Sequence, residues 1–395
     1  MRRRCDINTA REGCCLRPHR LFVCLLLCLC LALTGCGGRL GAESETDGGG
    51  RLEVGLYTVR EDLAPSAEGA ALLEAETGTL LMARGADKPL PMASTTKIMT
   101  AAVVLLYGDL TASFAIPKEA VGVEGSSLYL SEGEVFTVEE LLYGLMLESG
   151  NDAAVALAIA VAGSVEGFVA LMNATALSLG LESTRFANPH GLSAEGHYTT
   201  AAELARLTAY ALGIEGFEEV VSTRSMELKG EGHERRYLFN HNKLLGGYDG
   251  MIGVKTGYTA AAGKCLVTAA RRGDMTLVAV TLNDSQDKAD HRAMLDYGFG
   301  SFRKVAAVSY GESVAVPVTG GRQGAVIATA REELWLCLPT DLSVEKIYDI
   351  RAAEAPVKQG QTVAYIKLFA RGSLVAEVPL YAAESVKKQK RLLFF

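Results

Sequence analysis

Four side chains in this sequence stand at spacings suited to acyl transfer. Ser94-Thr95-Thr96-Lys97 sets a hydroxyl and an amine three residues apart. On a helix, that spacing stacks both groups on one face. The tetrapeptide follows Pro91-Met92-Ala93 and opens an apolar run to Tyr107. The hydroxyl therefore stands at a helix N-terminus, where the dipole favours negative charge developing on oxygen. Ser149-Gly150-Asn151 falls in a polar break between two apolar segments, and Lys255-Thr256-Gly257 lies just before a pair of β-like runs. Each motif alone has a plain structural reading: a lysine on an exposed helix flank, a cap loop between helices, a turn into a strand. Ser-x-x-Lys discriminates nothing by itself, recurring at Ser285…Lys288, Ser301…Lys304, Ser343…Lys346 and Ser385…Lys388. The other two patterns occur once each, and the ordered trio carries the signal.

The elements that must position these groups follow from the hydrophobic pattern. Ala70 to Arg84 reads as a hairpin around Glu76-Thr77-Gly78. Met92 to Tyr107 is apolar nearly all round, which predicts a central buried helix. Thr137-Val-Glu-Glu140 is a capping box opening a helix to about Glu148. An Ala-rich helix follows to Gly163, then a third over Ser164 to Leu179, stopped by Gly180. Thr200-Ala-Ala-Glu203 is a second capping box, with a helix to about Leu212. Lys264 to Ala270 and Thr276 to Leu282 suit a hairpin across Arg271-Arg-Gly-Asp274. Gln286 to Tyr297 reads as a helix ending at Gly298. From Ser301 onward short β-rich runs (Ser313 to Val318, Gly324 to Ala330, Leu334 to Leu338, Thr362 to Phe369, Ser373 to Leu380) alternate with Gly/Pro turns, predicting a separate all-β module.

The chain has 395 residues, 49% hydrophobic and 22% charged, and a net charge of −7. That composition excludes a disordered or collagen-like chain, and the acidic balance argues against nucleic-acid binding. Arg2, Arg3, Arg4, Arg11, Arg17 and Arg20 precede the apolar run from Leu21 to Leu33. A basic segment, a short apolar stretch and a small residue before a cut site form an export signal. The stretch to Gly35 spans roughly 22 Å as helix, short of the hydrocarbon core. Leu33-Thr34-Gly35-Cys36 resembles a bacterial lipobox, whose cysteine is lipidated and becomes the mature N-terminus; an ordinary signal peptide with an incidental Cys36 is the alternative. Both readings export the chain, and removing residues 1–35 leaves a net charge of −11. Gly37 to Arg51 is a flexible tether. Seven of the nine cysteines lie at or before position 36, so there is no disulfide framework. Cys265 reads as a small buried residue, and a Cys265–Cys337 bridge is the one pairing open. The expected organisation is residues 1–36 signal peptide with lipobox, 37–51 linker, 52–300 catalytic domain and 301–395 β-rich domain.

Ser-x-x-Lys, a Ser-x-Asn loop and Lys-Thr-Gly in this order form the trio of penicillin-recognising serine enzymes. Over residues 52–390 the chain resembles the low-molecular-weight penicillin-binding proteins that act as serine D-alanyl-D-alanine carboxypeptidases. The resemblance runs through Ala86-Asp-Lys-Pro-Leu-Pro-Met-Ala-Ser-Thr-Thr-Lys-Ile-Met-Thr-Ala101, Leu147-Glu-Ser-Gly-Asn-Asp-Ala153, Phe186-Ala-Asn-Pro-His-Gly-Leu192, Asn240-His-Asn242 and Gly253-Val-Lys-Thr-Gly-Tyr-Thr259. It implies an α/β fold of the β-lactamase/transpeptidase-like type, an antiparallel sheet flanked by helices. An all-helical subdomain is inserted around 110–220, and an all-β domain follows at the C-terminus.

A serine hydroxyl is a poor nucleophile and needs an adjacent base. The six histidines form no serine–histidine motif and read as surface or structural residues. No metal-ligand spacing such as His-Glu-x-x-His occurs, so no metal or cofactor is expected. The base is then Lys97 as a neutral amine, its pKa lowered by burial and by Lys255. Ser149 relays a proton to the leaving amine, and Asn151 orients Lys97 or the substrate amide. Lys255 and Thr256 bind the substrate's terminal carboxylate, and Gly257 lets its backbone lie against the strand. The resemblance places the oxyanion hole at the backbone N–H groups of Ser94 and Tyr258. It also implies peptidoglycan stem peptides as substrates, β-lactam antibiotics as acylating ligands and, through a lipid on Cys36, attachment to the outer face of the cytoplasmic membrane. Tyr258 stands where several relatives carry histidine. In 284–292, where relatives suggest an arginine for the carboxylate, Lys288 and Arg292 are the cations. Two rivals are a class A β-lactamase, which needs a Glu-x-x-Leu-Asn segment that is absent, and a non-catalytic cell-wall-binding lipoprotein.

Overall fold

Apolar residues that alternate along strands build a sheet with two buried faces, and each face recruits a different layer. The computed structural model describes residues 63, 65–230 and 232–389; Cys36, the export segment and the tether lie outside them. β1 (Gly69–Glu74) and β2 (Leu80–Arg84) form the expected hairpin. Its turn is fixed by Glu74, whose carboxylate accepts from the Thr77 N–H and hydroxyl at 2.8 Å each. A 3₁₀ turn, Ala93–Thr96, runs into the buried helix α1 (Lys97–Tyr107). The short strands β3 (Ser113–Ala115) and β4 (Val135–Thr137) pair with each other. α2 (Val138–Leu147) opens on a complete Thr137/Glu140 capping box. α3 (Asn151–Ala162), α4 (Val165–Ser178), α5 (Ala201–Leu212) and α6 (Phe217–Ser222) follow, then a hairpin of β5 (Ser225–Leu228) and β6 (Arg236–Phe239). The inserted region is thus not all-helical: two small strand pairs brace it.

β7 (Met251–Thr259), β8 (Gly263–Arg272) and β9 (Met275–Leu282) form a meander that joins the first hairpin in the antiparallel order β2-β1-β9-β8-β7. Lys255-Thr256-Gly257 lies inside β7, itself a strand, just before the expected pair β8 and β9. On β1, Ala71 and Leu73 face the large core with α1, whereas Ala70 and Leu72 face a second cluster with Met294, Phe302 and Cys337. β9 is buried along its whole length. No bridge joins Cys265 to Cys337, which belong to the two different clusters.

Two helix expectations need correction. The helix expected at Gln286–Tyr297 is α7 (Asp287–Ser301), which continues through Gly298. Gly298 is buried, and a Cβ there would lie 2.5 Å from Leu277 Cδ1 and 3.0 Å from Leu72 Cδ2. That glycine lets helix and sheet approach; it is not a stop. At α5, Thr200 caps the Glu203 N–H, but the Glu203 carboxylate turns to Ser183 and Thr184. The second capping box is therefore half formed, its acid spent on tying the 181–185 turn to the helix.

The C-terminal region is all-β. β10 (Phe302–Val308), β11 (Ser313–Thr319), β12 (Ala325–Thr329), β13 (Leu334–Pro339), β14 (Glu345–Ile350), β15 (Ala353–Glu354), β16 (Thr362–Ala370) and β17 (Ser373–Ala382) enclose their own apolar cluster. β10 pairs with β13, and a six-stranded sheet runs β14-β16-β17-β12-β11-β15. β10, β14 and β15 are strands the sequence pattern did not mark.

Gly298→Ala tests the close approach. Propensity alone would favour alanine by about 1 kcal/mol. Overpacking against Leu277 and Leu72 is expected to reverse the sign, with a net loss of roughly 1–3 kcal/mol in urea denaturation.

Candidate active site

The 3₁₀ turn before α1 sets the site. Ala93 adopts a left-handed conformation, φ +46°. The next three residues curl under hydroxyl-to-carbonyl bonds, Thr95 Oγ1 to Met92 O at 2.5 Å and Thr96 Oγ1 to Ala93 O at 2.8 Å. From Met92 to Val104 only Ser94 escapes full burial. It is half-buried, one turn ahead of a lysine that is 0% exposed.

Lys97 Nζ donates to Asn151 Oδ1 at 2.6 Å and to the His190 carbonyl at 2.6 Å, which leaves its lone pair toward Ser94 Oγ at 3.0 Å. Its partners are all neutral. Burial pushes the Lys97 pKa well below its ordinary value, Lys255 pushes it further, and Asp152 opposes them. Burial thus favours the neutral amine, the state in which it can take a proton.

The second motif breaks the chain between α2 and α3. Ser149 adopts φ +61° and is buried. Asn151 is held on both sides, its N–H donating to Ser126 O at 2.7 Å and its Nδ2 to Glu124 O at 2.6 Å. That leaves Oδ1 for Lys97. Asp152 secures the loop that presents those carbonyls. It is fully buried and accepts from Ser127 Oγ (2.7 Å), Leu128 N (2.9 Å), Leu130 N (3.2 Å) and Ala153 N (2.9 Å).

The third motif occupies β7, the edge strand of the five-stranded sheet. A Cβ on Gly257 would fall 2.9 Å from Ser94 N and 3.1 Å from Thr95 N, so only glycine lets the strand lie on the nucleophile's backbone. Lys255 is buried, its Nζ bonded to Thr256 O at 3.0 Å, and burial lowers its pKa to about 7 against an upward pull from Glu148. Tyr258 is 70% exposed beside the edge.

The structure thus joins Ser94, Lys97 and Asn151 by direct bonds, lays Gly257 on Ser94, and brings Lys255 within electrostatic reach of Lys97. Ser149, Thr256 and Tyr258 share those segments; the Ser149 hydroxyl makes no hydrogen bond to a described residue. Sequence reasoning missed Asp152, Glu124 and the loop 188–191. Thr100 Oγ1 binds Pro189 O at 2.6 Å, and Gly191, at φ +97°, packs its Cα on the Ala93 carbonyl. The segment Asn188-Pro-His-Gly191 was visible as a resemblance, yet its contribution is backbone geometry, which residue types do not spell out. Arg292 is not at this site: it donates to Gly247 O at 2.8 Å and lies over the Tyr248 ring. Half-buried His190 and buried His197, with pKa values near 4, and buried His291, near 3, are neutral and structural.

A serine paired with a buried lysine of lowered pKa beside an open sheet edge defines the serine acyl-transfer class. Comparison narrows it. Residues 57–286 match the D-alanyl-D-alanine carboxypeptidase family, and residues 302–388 match the C-terminal domain of penicillin-binding protein 5. The chain is 33% identical to D-alanyl-D-alanine carboxypeptidase DacF of Bacillus subtilis over 84% of its own length and 89% of the relative's. It is 33% identical to DacC of Escherichia coli, over 82% and 86%. Penicillin-binding protein 5 of Haemophilus influenzae superposes with a TM-score of 0.73 at 26% identity, covering 82% of this chain and 98% of that one. A Streptomyces K15 DD-transpeptidase superposes with 0.57 at 35% identity, over 60% and 99%. The protein belongs to the D-alanyl-D-alanine carboxypeptidase family.

Lys255 offers a test of the site's energetics. Its pKa falls from 10.5 to about 7, a penalty of roughly 5 kcal/mol on the charged form. Between pH 7 and 10.5 the unfolded chain binds the extra proton, so stability rises with pH across that window and the deficit is complete below pH 7. Lys255→Met is expected to raise the denaturation midpoint at pH 6 more than at pH 9. An equal or opposite change at the two pH values would contradict the buried-cation account.

Proposed function

We propose that this protein is a serine-type D-Ala-D-Ala carboxypeptidase that trims the terminal D-Ala from peptidoglycan pentapeptide stems. The observation that carries this is the 3.0 Å bond between Ser94 Oγ and the buried Lys97 amine, whose pKa burial lowers. Lys97 takes the Ser94 proton as Oγ bonds to the penultimate D-Ala carbonyl carbon. The N–H groups of Ser94 and Tyr258 hold the oxyanion; losing one such donor typically costs ~10²–10³ in rate. Ser149 passes the proton to the leaving nitrogen, the peptide C–N bond breaks, and free D-Ala departs. Water then attacks the ester, its proton passing through Lys97, and regenerates Ser94. Asn151 fixes Lys97, Lys255 and Thr256 grip the terminal carboxylate, and Gly257 gives the substrate access to the strand edge. β-Lactams acylate the same hydroxyl.

Asp152 supports slow release of such adducts. Asp152, directly after the second motif, is committed to backbone N–H groups and a serine hydroxyl, which argues against a water-activating role. This favours a carboxypeptidase over a β-lactamase. We assign catalysis to residues 52–300 and an appended β domain to 301–395. The chain acts outside the cytoplasmic membrane, tethered by a lipid on Cys36 and the 37–51 linker.

Mass spectrometry of the secreted protein with and without benzylpenicillin is the direct test. The expected result is a stable adduct on Ser94, a lipidated Cys36 at the N-terminus, and no adduct or D-Ala release in Ser94→Ala. Labelling of Ser94→Ala at the wild-type rate would remove the nucleophile assignment. The pH profile has two limbs of predictable sign. Acylation falls at low pH as Lys97 gains a proton. Above about pH 7, KM for substrates with a free carboxylate rises as Lys255 loses its proton. A KM flat from pH 6 to 9 would remove Lys255 from carboxylate binding.

A further inference from the structure

His197 handles no substrate proton, yet it stands where the nucleophile's turn meets the loop that serves Lys97. The ring is 6% exposed and rests edge-on against Phe186, with ring centroids 6.1 Å apart. Nδ1 lies 2.9 Å from Ala187 N, so that nitrogen accepts. Nε2 lies 2.8 Å from Thr96 Oγ1. The Thr96 hydroxyl spends its own proton on Ala93 O at 2.8 Å, so Nε2–H is the donor there. Each end of the ring has one partner, and the tautomer is fixed. Burial holds the ring's pKa near 4, which preserves that tautomer at neutral pH.

These bonds close a circuit around the nucleophile. Thr96 immediately precedes Lys97, and its hydroxyl pins Ala93, the left-handed residue immediately before Ser94. Ala187 leads into Asn188-Pro-His-Gly191, whose His190 carbonyl accepts from Lys97 Nζ at 2.6 Å. That segment is stiff: Asn188 Oδ1 accepts from Gly191 N at 2.7 Å, and Asn188 Nδ2 donates to Leu192 O at 2.9 Å. It meets the turn again at Gly191, where a Cβ would fall 2.0 Å from Ala93 O. A shift at Ala187 is therefore passed to the carbonyl that orients the Lys97 amine. Apart from Lys97 itself, His197 is the one side chain among the described residues that bonds both the 93–97 turn and the 187–191 loop.

Resting on the roles given above to Ser94 and Lys97, we propose that His197 is a positioning residue: bridging Thr96 and Ala187, its ring holds the Ser94–Lys97 turn in register with the carbonyl that aims the Lys97 amine at Ser94 Oγ. The two ends of the bridge are separable by substitution. An asparagine amide reproduces the Nδ1 acceptor and falls short of Thr96. The longer glutamine amide reproduces the Nε2 donor and leaves the Ala187 N–H unpaired. Either exchange opens the circuit at one known bond.

The test uses the full chain, benzylpenicillin and a peptide ending in D-Ala-D-Ala. Penicillin first counts the sites that can be acylated, and every rate is then expressed per such site. His197→Asn and His197→Gln are each expected to slow acylation and peptide kcat by about ten- to a hundredfold per site, up to the cost of a 1 Å misplacement. KM should stay within about twofold of wild type, because no substrate contact is lost. Thr96→Val, nearly isosteric, reads the same bond from its other end and keeps the test open should a change at 197 unfold the chain. Adding His197→Asn to Thr96→Val should cost less than about twofold more, since both remove one link. Amide variants that lose acylatable sites and thermal stability, yet react per site at the wild-type rate, would show a merely structural ring and overturn the proposal. Fully multiplicative losses in the double variant would overturn it as well. The labelling arm reads His197 whatever the peptide does, so wild type that is labelled without releasing D-Ala would overturn the carboxypeptidase reading alone.

Discussion

An amine that must be uncharged in water-filled surroundings has to be taken out of water, and the architecture around Lys97 follows from that requirement. An ordinary lysine is protonated at neutral pH, so it neither accepts a proton nor activates a hydroxyl. Complete burial shifts the balance, but a buried polar group without partners is costly. The protein meets both conditions with neutral oxygens alone: a serine hydroxyl, an asparagine amide and a backbone carbonyl. A carboxylate in any of those three positions would hold the proton on the amine. The one acid that acts on Lys97, Asp152, is placed a step away and saturated by N–H donors, so its charge is spread into the loop it organises.

The same requirement explains why three distant segments converge. The 3₁₀ turn and the start of α1 supply the hydroxyl and amine, the first residue of α3 supplies the amide, and the 188–191 loop supplies the carbonyl. Each depends on backbone shapes that side chains normally resist, namely φ +46° at Ala93, φ +61° at Ser149 and φ +97° at Gly191. Such conformations cost of order 1–3 kcal/mol at non-glycine positions and persist only where surroundings impose them. Here those surroundings are hydrogen bonds and close packing: Thr95 and Thr96 on the turn, Thr100 on Pro189 O, and Asn188 Oδ1 accepting from Gly191 N at 2.7 Å. Lys255 adds a second buried amine, half titrated near neutrality, whose repulsion helps keep Lys97 neutral. In the proposed mechanism the two amines divide the labour, Lys97 as base and Lys255 as carboxylate ligand.

Much of this was legible in the residues. Period and capping signals located α1 to α5 and the β8–β9 hairpin, because those elements are long, apolar on the expected face and punctuated by glycine or threonine. The trio of motifs located three of the site's segments, because hydroxyl, amine and amide must come from those residue types. What escaped reading depends on tertiary contact. Gly298 has the chemistry of a helix stop and acts as a packing notch, since the deciding atoms belong to Leu277 and Leu72. Glu203 has capping-box spacing but finds better donors at Ser183 and Thr184. β14 was missed because its burial pattern is exposed on both faces, as befits the edge of its sheet, so no alternation marks it. His190 contributes through its carbonyl, which any residue possesses.

The two faces of the central sheet also decide what the C-terminal domain can do to the site. Alternate residues of β1 and β9 point to opposite clusters: Ala71, Leu73, Val278 and Val280 toward α1, and Ala70, Leu72, Leu277 and Ala279 toward α7 and the entry to the β-rich region. Phe302 and Cys337, on β10 and β13, are embedded in the second cluster. Lys304 strengthens that junction by pairing with Glu76, donating to Asp274 O at 3.1 Å and lying 5.0 Å over the Trp335 ring. The β-rich region is therefore rooted in the sheet's far face, while Ser94 and Lys97 belong to the near one. Because β9 is buried on both sides, a change in either layer is felt through a single row of well-packed side chains. Among the described residues no strand of the β-rich region pairs with β7, which ends the five-stranded sheet.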